Sequence, residues 1–423
     1  MKKSFVFAMA AAALLFTACK NDIDTNVTND EGAVQRISLM VENAGSNTRA
    51  GRELLSSEAK QSIENVKVII VNASNEIVKI EDLDDWDGAD ATAYTSGGHG
   101  RKAEIVYEGN DRLSDATYTI YAFGYHDGSD YQMGGSAIDT YLDALTTGTV
   151  FAANQTITTT HEYAEEIFAG SQTMTISGKK VSTTIVLHRQ VAGVFVYAKE
   201  IPYVAGAAKL SLYASDNHPS LVLGNFAPAS PNELAANGTN TSNKVVNGFG
   251  AAVNTKIASV TLLDWFNAIT EDANHLITGT AANWKGDATK FNTGSVFMGK
   301  FIVPFTQHAT NTTFVLKLED NSNNELRKWN IKLPAADIDN TANYTYWNTG
   351  ATPAEFTVAV PTETQLLYNI YRNHLYGVGE KLTDNNQGPT DPDPDEPQTL
   401  NTKEDLLLKV NDNWEVIHTM EIE

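Results

Sequence analysis

"KKVSTTIVLHRQVAGVFVYAKEIP", residues 179–202, places two strand-forming runs almost end to end. Residues 182–187 and 191–199 are rich in β-branched and aromatic side chains, and the polar triplet "HRQ" separates them. A chain that passes directly from one strand into another across so short a hinge joins two sheets without a linker. We therefore predict a domain boundary near residue 188, with one β-sandwich over residues 50–188 and a second over residues 189–398.

The rest of the chain has the same two-residue periodicity. Short runs such as "ENVKVIIVN" and "TTFVLKLED" combine Val, Ile, Phe and Thr and end at Asn or Asp. Apolar residues have helical spacing in only a few segments, residues 56–66, 139–148 and 262–278. The sequence thus predicts an all-β fold of two tandem β-sandwiches with short helical insertions.

The first 19 residues have the pattern of a secretory signal. Lys2 and Lys3 precede an apolar run over residues 5–16, and small residues and Cys19 follow. "FTAC" fits a lipoprotein cleavage motif, and the alternative is a cut of the A-x-A type. Cys19 is the only cysteine in 423 residues, so it has no partner for an internal disulfide. We predict that residues 1–19 are a lipoprotein signal peptide and that acyl chains on Cys19 hold the precursor on a membrane.

Charge and motifs argue against nucleic-acid binding and catalysis. Thirty basic and 52 acidic residues give a net charge of −22, which repels nucleic acid. "HEYAEE" (161–166) lacks the second histidine of a zinc-protease helix. The acidic stretch 81–90 has Trp86 where a calcium loop needs an oxygen ligand, so a solvated loop is favoured over weak calcium binding. We predict no enzyme activity, no catalytic residues, no metal and no cofactor.

Residues 33–43 form a strand pattern directly behind the signal. Ile37, Leu39 and Val41 alternate with residues of the other face, most of them polar. One interpretation is that this strand and the strand pattern at the C-terminal end, residues 406–422, are ordinary edge strands of the folded monomer. The loop that follows, however, "NAGSNTRAG" (43–51), is small and polar, as in segments that proteases attack.

A cut between Arg49 and Ala50 would separate this leader strand from the body of the chain. Residues 20–49 would then be a propeptide, and its departure would leave a groove with unpaired backbone groups and apolar pockets. Such an exposed edge needs another strand to fill it.

The C-terminal tail offers a strand of the required kind. A loop rich in Pro and Asp, residues 383–398, precedes it, and residues 399–423 are predicted to form a donor-strand appendage. Residues 406–410 and 414–422 form either two strands or one kinked strand. Addition of this strand to the groove of a second copy is heterologous and generates a filament. The residues on one face of the tail are Trp414, Val416, His418, Met420 and Ile422.

With these features in this order, the chain resembles the fimbrillins, the major shaft subunits of Bacteroides-type (type V) pili. The resemblance covers essentially the whole chain, and the order of its motifs is more specific than any one of them. Besides the C-terminal strand, the motifs are "FTAC", "VQRISLMVE", "NTRA", "VLHRQVAGVFVYA", "FAGSQTMTI" and "NIYRNHLYGV".

The resemblance implies two transthyretin-like sandwiches and a lipoprotein precursor, acylated for example with palmitate, that travels to the outer membrane. It implies an Arg-specific maturation protease that cuts after Arg49 and releases the strand of residues 33–43. Residues 406–423 would then be the appendage that donates a strand to another subunit. The mature form would lie outside the cell in fimbriae. Its partners would be other copies of itself, anchor and tip subunits, and a host surface or other bacteria reached through the fibre.

Two alternatives remain open at this point. An anchor or tip subunit is less favoured than a shaft subunit, because the chain has both an arginine cut site and an appendage. The other alternative is a surface lipoprotein that does not polymerise and binds glycans or host proteins. Tyr125 and Tyr131 could contribute to the exposed aromatic platform that such binding needs, but their interpretation as core or hairpin aromatics is favoured.

Overall fold

Nearly all regular elements are β-strands, which confirms the predicted fold class. The computed structural model describes residues 34–41, 63–86, 88–93, 101–152, 155–178, 180–223, 248–249, 253–305, 312–332, 344–348, 355–359, 370, 372, 375–381, 396–401, 405–407 and 409–411.

Twenty-five strands are present in these residues, in the following chain order. They are β1 (Val34–Val41), β2 (Asn65–Val71), β3 (Ile77–Leu83), β4 (Thr92–Ala93), β5 (Arg101–Glu108), β6 (Thr117–Tyr125), β7 (Gln132–Met133), β8 (Ser136–Ala137), β9 (Gln155–Thr158), β10 (Phe168–Thr175), β11 (Val181–Arg189) and β12 (Ala192–Lys199). They continue with β13 (Lys209–Asn217), β14 (Ser220–Leu223), β15 (Gly248–Phe249), β16 (Val253–Thr261), β17 (Val296–Ile302), β18 (Thr312–Glu319), β19 (Glu325–Lys332), β20 (Tyr344–Asn348), β21 (Glu355–Ala359), β22 (Leu375–Val378), β23 (Gln398–Thr399), β24 (Asp405–Leu407) and β25 (Lys409–Asn411).

The first sandwich is built from one continuous strand order, β3-β2-β6-β10-β11-β1-β5-β4. β10 and β11 pair at Phe168–Arg189 and Ala169–His188, where the order turns from one layer into the other. The halves on either side of this junction share one apolar core, as in face-to-face sheets. Buried side chains of that core include Ile37, Leu39, Val66, Val68, Ile70, Ile105, Ile120, Ile185 and Leu187.

The second sandwich packs the sheet β17-β12-β22-β25 against the sheet β16-β13-β18-β19-β24. Every residue of β12 from Ala192 to Ala198 is buried, because one face meets the opposite sheet and the other meets an aromatic cluster. β20 and β21 form a separate two-stranded sheet. The buried core between the two larger sheets includes Val194, Val196, Leu210, Leu212, Phe314, Leu316, Leu318, Trp329 and Ile331.

A small sheet, β15-β14-β9-β7-β8, contains strands from both sides of residue 188. β9 pairs with β14, and the hydroxyls of Thr158 and Ser220 are 2.8 Å apart. Leu221 and Leu223 join a cluster that contains Phe123 and Phe151 from earlier in the chain. Contacts therefore cross residue 188, and the division into two domains at that residue stays a prediction.

The triplet "HRQ" that separates β11 from β12 differs from the polar hinge that the sequence predicts. β11 continues through Arg189, and the side chains of Arg189 and Gln190 are each 1 % exposed. Arg189 Nη2 lies 2.6 Å from Glu166 Oε1, and its guanidinium lies over the ring of Phe168, 4.8 Å from the centroid. Gln190 accepts a hydrogen bond from Arg372. The junction is thus a buried polar network.

The helices are shorter than the sequence predicts. α1 covers Ile138–Asp143 and α2 covers Leu262–Trp265, while residues 65 and 66, predicted to be helical, belong to β2. The expected helix over 262–278 is wrong beyond Trp265, because Phe266 is extended and pairs with Trp284. In the described residues, no helix is long and apolar enough to cross a membrane.

Candidate functional site

β1 lies inside its sheet, with a hydrogen-bonded neighbour on each side. It runs parallel to β11, where 35–41 face 181–187, and antiparallel to β5, where 34–40 face 108–102. Both backbone edges of β1 are therefore used in ladders. The interpretation of this segment as an ordinary edge strand is wrong.

The apolar side chains of β1 form part of the first core. Ile37 lies between Ile105 and Thr183 in the register, and both Ile37 and Leu39 are completely buried. Val41 follows at the same two-residue spacing and pairs with Leu187. The alternation that predicts a core-facing row is confirmed for Ile37 and Leu39.

Gln35 is a buried residue of the same face that the pattern of apolar residues does not reveal. Its side chain is 2 % exposed. Its Nε2 donates to the carbonyl of Leu113 over 2.8 Å, and its Oε1 accepts from the N–H of Leu113 over 2.8 Å. The sequence signal for this burial is the position of Gln35 two residues before Ile37, because residues two apart in a strand lie on the same face.

Charged and aromatic groups flank β1 on both faces. On the outer face Arg36 Nη1 lies 3.0 Å from Glu104 Oε1, and both side chains are about half exposed, so this pair stabilises little. On the core side Tyr107 is paired in register with Gln35. Burial, and then the neighbouring Glu81 carboxylate, raises the pKa of Tyr107, so its hydroxyl is neutral at physiological pH.

Withdrawal of β1 would open a groove between β5 and β11. β5 would keep only the two residue pairs with β4, among the strands that the structure describes. The backbone of residues 181–187 would lose its partner, over a length of about 23 Å. The vacated space would contain unpaired ladder groups and the apolar positions of Ile37 and Leu39. Such a groove fits one further β-strand.

We expect Leu39→Ala to destabilise the uncut precursor by about 2–5 kcal/mol, because it leaves a cavity in a closed core. Equilibrium unfolding in urea, followed by tryptophan fluorescence, measures this change. Arg36→Gln is the control on the exposed face and should cost less than about 1 kcal/mol. Equal losses for the two variants would contradict the assignment of Leu39 to the core.

The other predicted processing and donor residues lie outside the described residues. This applies to Cys19, Arg49 and Ala50, and to Trp414, Val416, Met420 and Ile422.

The start of the predicted appendage is described, and it contacts both sheets of the second sandwich. β24 pairs with β19 and is the last strand of one sheet, and β25 pairs with β22 and is the last strand of the other. Leu406 is completely buried in the core between these sheets. Residues 405–407 and 409–411 thus pair within the chain's own second sandwich, although most of them belong to the expected donor segment 406–423.

The aromatic platform that the glycan-binding alternative needs is not formed by the residues predicted for it. Tyr125 is 4 % exposed and Tyr131 is 1 % exposed. The hydroxyl of Tyr131 donates to the carbonyl of Glu165 over 2.7 Å. Both rings pack in a core cluster with Phe123, which confirms their interpretation as core aromatics.

Several carboxylates in or near the acidic stretch 81–90 have protein partners. In the stretch 81–90, Asp85 accepts from the backbone of Ala89 and Asp90 accepts from the backbone of Asp85. Lys67 lies 2.6 Å from both Asp82 and Asp143, beside an acidic cavity of about 590 Å³. Across the described residues, no group of three or more His, Cys, Asp or Glu side chains has the geometry to hold a metal ion.

No protein-family model matches the chain, and no curated protein matches it in sequence. A candidate cell adhesion protein from Parabacteroides distasonis is similar in fold, with a TM-score of 0.41 and 11 % identity over 90 % of this chain and 97 % of that one. A fimbrial assembly protein from the same species has a TM-score of 0.33 and 11 % identity over 81 % and 89 %. The fimbrial anchor protein Mfa2 from Porphyromonas gingivalis has a TM-score of 0.32 and 10 % identity over 70 % and 82 %. All three solved structures are distant from this chain in sequence, at 10–11 % identity.

Proposed function

We propose that this chain is the major structural subunit of a surface fibre of the fimbrial type. The precursor is exported as a lipoprotein on Cys19, and a protease cuts it between Arg49 and Ala50. The observation that carries the proposal is the interior position of β1, a strand that precedes the predicted cut site. The cut converts an intrinsic strand of the sheet into a separate peptide.

Before the cut, β1 keeps the subunit from polymerising. It fills the groove between β5 and β11 with the chain's own residues, and its covalent link to the body makes this filling far more favourable than filling by a second copy. After the cut this advantage is lost, because the leader becomes a peptide that can diffuse away.

The replacement strand in this proposal is the tail of a second copy. Its alternating face, residues 414–422, supplies side chains for the apolar positions of the groove. Burial of about 400 Å² of apolar area at roughly 25 cal/mol per Å² is of order 10 kcal/mol before entropy costs, enough for a lasting joint. Each subunit then gives a strand to one neighbour and accepts one from another.

Limited digestion of the purified precursor tests the proposal. Digestion with an Arg-specific protease should give filaments in electron micrographs and a ladder on SDS gels of unheated samples. Arg52 lies three residues after Arg49, so the control is the double variant Arg49→Gln/Arg52→Gln, which should remain monomeric. Monomers that persist after complete cutting at Arg49 would contradict the proposal.

The N-terminus of material taken from the cell surface separates this function from the non-polymerising alternative. A mature chain that begins at Ala50 supports the fibre subunit. A chain that begins at a lipid-modified Cys19 and forms no polymer supports a surface lipoprotein that retains its leader strand.

A further inference from the structure

The contact between Gln35 and Leu113 is a polar contact on the same face of β1 as the buried side chains of Ile37 and Leu39. The side-chain amide of Gln35 both donates to and accepts from the backbone of Leu113, with both bonds 2.8 Å long. The orientation of the amide is fixed by its partner, since the N–H of Leu113 can only donate and its carbonyl can only accept. A side chain at this position therefore needs one donor and one acceptor.

The segment that presents Leu113 is held by contacts that do not involve β1. The hydroxyl of Tyr118 donates to the carbonyl of Ser114 over 3.0 Å. Lys79 Nζ donates to the carbonyl of Asp111, also over 3.0 Å. When β1 leaves, the N–H and carbonyl of Leu113 keep their positions and lose their partner.

We infer that Leu113 forms a polar subsite of the groove, which selects a strand whose side chain at this level both donates and accepts a hydrogen bond. A side chain that lacks either capacity leaves a backbone group of Leu113 unpaired once the groove excludes water. The subsite thereby fixes the register of the incoming strand. Apolar pockets alone do not fix it, because a shift of two residues places another apolar side chain in each pocket.

The occupant in the assembled fibre is His418 of a second copy, an assignment that rests on the proposed function. On its face of the tail, only His418 carries both capacities, because a neutral imidazole has one donor and one acceptor while the indole of Trp414 only donates. Apolar residues follow His418 at positions +2 and +4, the spacing at which Ile37 and Leu39 follow Gln35.

Peptide binding to the cut, full-length chain tests the subsite. Residues 44–51 are replaced by the recognition sequence of a site-specific protease, and fluorescent peptides of residues 33–43 compete for the groove after the cut. Peptides with Gln35→Met or Gln35→Glu should bind at least about tenfold more weakly than the native peptide. The control peptide, Arg36→Gln, changes the exposed face and should bind within about threefold of it. Equal binding of all four peptides would overturn the subsite.

Variants of the tail test the occupant. His418→Gln keeps a donor and an acceptor, and the cut chain should polymerise as the native chain does. His418→Met is similar in size and apolar, and its polymerisation should slow by at least about tenfold. Equal polymerisation of the two variants would overturn the assignment of His418.

The two experiments also separate this inference from the function on which it rests. If cut chains form no polymer and the peptides still discriminate at position 35, the fibre proposal fails and the Leu113 subsite stands. If cut chains polymerise and the peptides bind equally, the subsite fails and the fibre proposal stands.

Discussion

Mixing two variants that cannot polymerise alone is expected to give a heterodimer and nothing longer. The first variant is cut after Arg49 and ends at residue 411, so it has an open groove and no donor strand. The second, Arg49→Gln/Arg52→Gln, keeps its leader strand and its tail, so it has a donor and an occupied groove. Because each joint has one donor strand and one groove, the tail of the second chain can fill the groove of the first. The resulting complex has no free groove. Size-exclusion chromatography with light scattering measures the mass.

Each variant alone serves as the control and should be monomeric at the same concentration. A mixture that stays monomeric, while the unmodified chain polymerises after cutting, would show that residues 412–423 are not the donor. Assemblies longer than a dimer would show that β1 does not block the groove.

Breaking the buried ion pair at the junction of β11 and β12 is expected to cause a large loss of stability. Glu166 and Arg189 are 2 % and 1 % exposed, and their closest atoms are 2.6 Å apart. Glu166→Gln removes the carboxylate that lies against the buried guanidinium, so the free energy of unfolding should fall by about 3–5 kcal/mol. Urea unfolding of the uncut precursor at pH 7 measures it.

The matched control replaces both partners. Glu166→Leu/Arg189→Met removes the two charges together and should lie much closer to the native stability than Glu166→Gln does, because the desolvation cost of the guanidinium is removed with its partner. On the surface, Glu104→Gln breaks the exposed pair with Arg36 and should cost less than about 1 kcal/mol. A Glu166→Gln chain with native stability would contradict the burial of this pair.

The local pattern of residue types was sufficient to predict many of the strands. Strands such as β2 and β18 follow the alternation and β-branched content of "ENVKVIIVN" and "TTFVLKLED". The apolar spacing over 262–278 gave a wrong prediction of a helix. Phe266 and Asn267 instead pair with Trp284 and Asn283, which lie outside the predicted helix. Helical periodicity cannot reveal such a competing partner.

The candidate site was predictable in part, for the same reason. Alternation in "VQRISLMVE" predicts that Ile37 and Leu39 enter a core, and both are completely buried. The pattern could not supply the neighbours of this strand. Gln35 was overlooked because a glutamine in isolation gives no sign that its partner is the backbone of Leu113, 78 residues away.

The sequence by itself determined that this chain is all-β, that residues 33–43 have the alternation of a strand, and that residues 182–187 and 191–199 are separate strand-forming runs. These are properties of adjacent residues, since side-chain alternation and turn composition act over a few positions. Only the tertiary structure decided that β1 is an interior strand, that it runs parallel to β11, and that Arg189 is buried against Glu166. Strand pairing and charge burial depend on which distant segments meet, and that choice is made by the packing of the whole core.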